Sequence, residues 1–261
     1  MLLSNLRNDR MLLPMTSSVA SQPMTDVEVL LKEYRGDVNI AVSSFYAGKT
    51  INKLAASDQK VFCVLNRNAL SWRIIVHSLQ VTFFAALGRI FDRDARSVSV
   101  HGLLGVCKKE ITQFSKLALE ARKLKEANGV RPEWLSDYLQ GVYEADTTDF
   151  DALAQILCRH EETYTSKYQP IRHKVIAHND LTTIGFKDAL FSTTNIAEVE
   201  EILEFLHQVE RVVAELHVNG RKTSLTQHTL DEERYVREDL EKLLAILPAT
   251  NPNERDSQWD S

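Results

Sequence analysis

Between Ile171 and Asp180 the chain reads Ile-Arg-His-Lys-Val-Ile-Ala-His-Asn-Asp, which gathers Arg172, His173, Lys174 and His178 into a single short stretch. The forked guanidinium of an arginine suits a phosphate or carboxylate. A histidine, with an ordinary pKa of about 6.5, is the side chain best suited to moving protons near neutral pH. Arg172 and His178 have the spacing R-x5-H. On a regular helix such a step advances about 9 Å and turns through about 600°, so the two side chains point about 120° apart. One copy cannot close both groups around a single phosphate. Lys174 and His178 share a face, and His173 stands nearer Arg172. A two-fold axis would bring equivalent residues of two copies together. The spacing therefore predicts a composite site at an interface, with Val175 and Ile176 seating the helix. A purely structural reading stays open beside it, in which Arg172 caps the preceding helix and His178 bonds loop carbonyls.

Other constellations carry less. Ala47-Gly48-Lys49-Thr50 resembles the end of a phosphate-binding loop, but Ser43 stands where that loop needs glycine, and no strand precedes it. Asp92-Arg93-Asp94 has the form of a D-x-D metal site, but is read as a polar helix end. Cys158-Arg159-His160-Glu161-Glu162 lacks a second ligand pair, and His207 with His217 makes a poor metal site alone, so both read as helix surface or interface. No metal site is expected.

The elements that must position the motif are helices. Glycine and proline are scarce, at 9 and 6, in a chain of 261 residues that is 44% hydrophobic, which predicts an all-α fold. A first helix is expected from about Val27 to Leu54. A second, long one runs from a cap at Asp58 to Phe91 and is read as a central helix buried on most sides, since Arg73, His77, Gln80 and Arg89 interrupt it as a membrane span. A third continues through Leu103 to Leu124 and stops at Asn128-Gly129, followed by a short helix after Pro132. Thr147-Thr148-Asp149 caps a helix that Pro170 must break or kink. Residues 179–195 look irregular, with an extended piece at 183–186. Asn195 with Glu198 forms a capping box for an amphipathic helix closed by Asn219-Gly220, and Thr229 with Glu232 starts the last helix, which ends before Pro248.

A net charge of -5 argues against a protein that coats nucleic acid by bulk electrostatics, but leaves room for a small basic site. The three cysteines suggest neither disulfides nor a zinc knuckle, so a reducing cytoplasm fits. Residues 1–25 read as a disordered leader without a signal peptide, with Met15 and Met24 as alternative starts. Residues 26–247 read as one helical domain, and 248–261 as a polar flexible tail.

Arg172-His173-Lys174-Val175-Ile176-Ala177-His178 resembles the R-[N/D/H]-x-x-x-x-H signature of the HEPN superfamily. The following Asn179-Asp180, with Leu87-Gly88-Arg89-Ile90-Phe91-Asp92 upstream, is similar to its abortive-infection (AbiU-like) branch. The resemblance implies a HEPN-like bundle of long antiparallel helices that dimerises through the motif helix. It also implies metal-independent RNA cleavage needing no cofactor, in a prokaryotic defence or toxin system. Carried onto this chain, His178 would serve as general base or acid toward the ribose 2′-hydroxyl, and Arg172 would stabilise charge on phosphorus. His173 would orient the phosphate or act as the complementary acid, and Lys174 and Asn179 would contact substrate. The alternative is a non-catalytic nucleotide-binding or interaction module, for example the partner of a nucleotidyltransferase antitoxin.

Overall fold

A computed structural model describes residues 26–94, 96–177, 187–225 and 231–246. Every regular element among them is helical, so the fold is all-α. Helix α1 (Asp26–Ser57) buries Val27, Leu31, Tyr34, Val38 and Val42, a three-and-four spacing that turns one stripe inward. It packs along α3 (Ala69–Ile90) and against α10 (Ile196–Ala214) and α11 (Asp231–Ile246). The Tyr34 hydroxyl donates to the carbonyl of Leu206, 3.0 Å away, tying α1 to α10 in the core.

The long helix expected from Asp58 to Phe91 is two. Asp58 does cap α2 (Gln59–Arg67), accepting from the backbone N–H groups of Lys60 and Val61. The chain then breaks at Asn68, whose φ of -115° and ψ of 42° are not helical, and α3 begins anew. Asparagine competes for backbone hydrogen bonds and favours such a break. The expectation that this helix is buried on most sides holds only for its second half. Phe83, Phe84, Leu87 and Ile90 are core, but Leu70 is 71% and Ile74 58% exposed. By length and composition α3 could cross a membrane, and only 22% of its most apolar window is buried.

The expected third helix is also divided, into α4 (Val100–Lys109), a 3-10 turn (Ile111–Phe114) and α5 (Lys116–Glu126). Ser115 takes an extended conformation and its hydroxyl accepts from the Ala118 N–H, restarting the helix there. Asn128 and Gly129 have positive φ, 52° and 81°, which gives the left-handed end that the Asn-Gly pair predicted. After α6 (Leu135–Gln140), α7 (Thr147–Thr163) is capped by Asp146 rather than by the threonines, with Asp149 completing a capping box.

Regular α-geometry is interrupted around Pro170, as expected, yet the helical path continues past it. The chain widens into a π-turn at Tyr164–Tyr168, in which the Gln169 N–H reaches back to the Tyr164 carbonyl, then passes through α8 (Gln169–Ile171) into a second π-turn at Arg172–Ala177. The extra residue in the wide turn absorbs the hydrogen bond that proline cannot make. After α9 (Lys187–Phe191), Asn195 caps α10 by accepting from Ala197, while Glu198 pairs with Lys167 at 2.5 Å. The expected extended piece at 183–186, and Thr229, lie outside the described residues.

His217, expected at a surface or interface, is 1% exposed and lies edge-on to Phe114 at 5.5 Å. The π-turn Glu215–Asn219 at the end of α10 rotates it off the regular helical register. Burial, aided by the nearby Arg122 guanidinium, pushes its pKa down to about 4. The unfolded chain therefore binds a proton that the folded chain refuses between pH 6.5 and 4, and stability falls as pH falls through that window. The full loss is on the order of 3 kcal/mol. Urea melts across pH 7 to 4 are expected to show this slope, and His217→Phe to flatten it. An unchanged slope in that variant would remove His217 as the cause.

Candidate functional site

Arg172 lies at the start of the second π-turn, against the C-terminal end of α3. Its side chain occupies the space beside Gly88. A Cβ built on Gly88 would stand 2.0 Å from Arg172 Nε and 2.4 Å from Cζ, far inside van der Waals contact. Only glycine at this position lets the guanidinium lie so close to the α3 backbone.

The residues that follow α3 hold the segment bearing Arg172 in successive contacts. Phe91 stacks on Tyr164, with centroids 4.5 Å apart and planes 12° from parallel. The Asp92 carboxylate is held below its usual pKa, first by the Asp94 N–H and the Ser97 hydroxyl, each 2.9 Å away, and also by the charge of Arg172. Arg93 forms a two-pronged pair with the buried Glu161, both contacts 2.7 Å, and His101 Nε2 lies 3.1 Å from the same carboxylate. That pairing, Arg93 foremost, lowers the Glu161 pKa. Asp92-Arg93-Asp94 is thus a polar helix end, as its sequence suggested, and a clamp on α7 besides.

Tyr164 is 2% exposed, and burial raises its phenol pKa. The Arg172 guanidinium opposes that rise by charge and by hydrogen bonding. Arg172 Nη1 also lies 3.0 Å from His173 Nε2. Since a guanidinium only donates, His173 accepts at Nε2 in this contact. Arg172 is therefore held by an aromatic hydroxyl, a carboxylate field and an imidazole, all beside the α3 backbone at a position without a Cβ.

Of the residues singled out by their spacing, the structure brings Arg172 and His173 together and leaves His173 and Lys174 exposed. Val175 and Ile176 pack against the core, as the seating role requires. His178 and Asn179 lie outside the described residues. Among the described residues no group of three or more His, Cys, Asp or Glu side chains could hold a metal ion. The phosphate-loop-like Gly48-Lys49 sits inside α1, where Lys49 is paired with Glu200 and Glu233.

Sequence reasoning missed Tyr164 and the purpose of Gly88. Nothing marks Tyr164 in the primary pattern, because an aromatic at helical spacing reads as core. Gly88 carried a signal, being a glycine inside an otherwise apolar helix, where it weakens the helix unless something needs the room.

With that geometry in view, comparison with known families is decisive. The family model HEPN_AbiU2, described as AbiU2, matches residues 24–242. The chain belongs to this family. No curated protein and no solved structure matches it. Membership makes this an abortive-infection HEPN domain, and the seat of Arg172 lies within the matched span.

Gly88→Ala is expected to separate stability from site geometry. Alanine favours the helix by about 1 kcal/mol, and the side chain in its way is the flexible end of an arginine, so the melting temperature should hold or rise. The guanidinium must move by more than 1 Å, which can cost on the order of 100-fold in a positioned reaction. Activity that survives intact in a well-folded Gly88→Ala protein would show that the seat is unimportant.

Proposed function

We propose that this HEPN domain is a metal-independent endoribonuclease of a prokaryotic defence or toxin system, working in the cytoplasm as a homodimer. The observation that carries the reading is the guanidinium of Arg172, held beside Gly88 at the head of an R-x5-H sequence. A guanidinium held by Tyr164, Asp92 and His173 costs little reorganisation when charge builds on a phosphate. His178 is assigned the proton transfer at the ribose 2′-hydroxyl, with His173 as the complementary acid. Lys174, exposed next to His173, and Asn179 are assigned to substrate contact. Attack by the 2′-oxygen on phosphorus expels the 5′-oxygen of the next nucleotide and leaves a 2′,3′-cyclic phosphate. DNA, lacking that hydroxyl, is not cut.

The face of α3 that seats Arg172 supports the pairing of two copies. Counting back from Gly88 in helical steps, Val81, His77, Ile74, Arg73 and Leu70 fall on the same side. The last four are exposed, and Leu70 and Ile74 form an apolar ridge unusual for a surface that stays wet. A second copy covering this ridge would bring two motif segments toward one cleft. A nucleotidyltransferase antitoxin is a further partner in the same reading, bound where it would mask that cleft.

Purified protein incubated with structured RNA in excess EDTA is expected to cut it and leave cyclic phosphate ends. His178→Ala and Arg172→Ala should each lower the rate at least about 100-fold while sedimentation still reports a dimer. Cleavage that stops with EDTA, or persists in His178→Ala, would overturn the mechanism. A monomer at all concentrations would overturn the composite site.

A further inference from the structure

Beside the motif segment lies a cavity of about 280 Å³, open to solvent between α1, α3 and the start of α10. Tyr168, one helical turn before Arg172, forms part of the wall, and so does Phe191, at the end of the first described helix after the motif. The Tyr168 hydroxyl donates to the Asn195 carbonyl, 3.0 Å away, so the wall is braced against the cap of α10.

Much of the lining is aromatic, with Phe45, Phe83, Phe84, Tyr168 and Phe191. Phe45 and Phe83 meet with centroids 5.5 Å apart and planes tilted by 40°. Leu79 and Val76 continue the apolar wall along α3. The lining also holds the carboxamides of Asn52 from α1 and Gln80 from α3, besides that of Asn195, which caps α10. Each carboxamide offers both donors and an acceptor. Among the described lining residues the charged one is Lys49, and its ammonium is balanced by Glu200 and by Glu233, the latter 3.4 Å away. A phosphate or carboxylate would find no uncompensated cation there. The site suits an uncharged planar ring whose faces meet aromatics and whose edge meets amides.

We propose that this cavity seats one unpaired nucleobase. The assignment rests on the reading that the chain acts on RNA, with Arg172 taking a phosphate of the same strand one turn further along the motif helix. An RNA strand or a free nucleoside supplies the base, since the ring and its edge are the same in both.

Gly48 gives the means of testing it. The glycine lines the cavity, and a Cβ added to it meets nothing within 4 Å. Gly48→Leu therefore adds an apolar side chain at the cavity wall, starting from a Cβ that meets nothing, while improving the helix propensity of α1. The probes are 2-aminopurine riboside and an RNA oligonucleotide carrying 2-aminopurine, followed by fluorescence with the full chain. His178→Ala serves as background, so that cleavage does not intervene while the Arg172 contact to phosphate is kept. Saturable binding of either probe is expected, weakened at least about tenfold by Gly48→Leu and by Gln80→Leu, with melting temperatures unchanged or raised. Binding of the oligonucleotide alone identifies a strand-borne base, and binding of the riboside a free nucleoside. Binding of neither probe overturns the proposal, as does binding untouched by Gly48→Leu in a folded protein. A simple aromatic hydrocarbon that competes equally well overturns the assignment to a base. Because these measurements need no turnover, they stand apart from the cleavage assay. A chain that binds the base but cuts nothing fails only the catalytic reading.

Discussion

The rest of the site depends on the missing side chain at Gly88. A guanidinium is costly to hold in one place, since a free arginine loses about 2 kcal/mol of rotamer entropy when fixed. Here the cost is spread over contacts that already exist for packing. Tyr164 is buried by its stack on Phe91, Asp92 is held by its own loop, and the α3 backbone is open where Gly88 lacks a Cβ. Any larger residue at 88 would turn the seat into a wall.

The helical path that carries Arg172 to its seat runs past Pro170 after α7 has ended. A regular α-helix would clash there with the proline ring. The π-turn at Tyr164–Tyr168 widens the path just before the proline and shifts the register of the segment after it. It also leaves Tyr164 and Tyr168 in opposite service, the first under Arg172 and the second in the cavity wall. The clamp of Phe91, Asp92 and Arg93 then fixes the rotation, because Arg93 and the buried Glu161 pin α7 one turn before Tyr164.

Much of this was legible in the residues. Apolar periodicity gave α1 and α10, and the Asn-Gly pairs marked the left-handed ends at Gly129 and Gly220, whose φ values are 81° and 57°. The motif stood out by residue type alone. What the pattern could not reveal lies where tertiary contacts override local rules. Asn68 divides a run whose hydrophobic period continues unbroken across it. Pro170 looks like a terminator because sequence windows assume α-geometry, and the same assumption put His217 on a surface that a π-turn carried into the core. Tyr164 is indistinguishable from any core aromatic until its hydroxyl is seen to face Arg172.

The two halves of α3 show the same division of labour in a single helix. Between Phe83 and Ile90 most of its residues are core and supply the seat, whereas between Leu70 and His77 the apolar Leu70, Ile74 and Ile75 are exposed. A helix that only completed a bundle would bury its apolar residues along its whole length or replace the exposed ones with charge. Among its first turns the charged residue is Arg73, and no carboxylate occurs between Asp58 and Asp92. Such a surface is poor in the lysine and glutamate that keep proteins apart, and it has the arginine and large apolar residues that protein contacts favour. Its line leads straight to Gly88. The residue that seats the guanidinium and the ridge suited to a second copy are thus parts of one helix face, and the spacing that denies a single copy a complete site is what a pair formed on that face would supply.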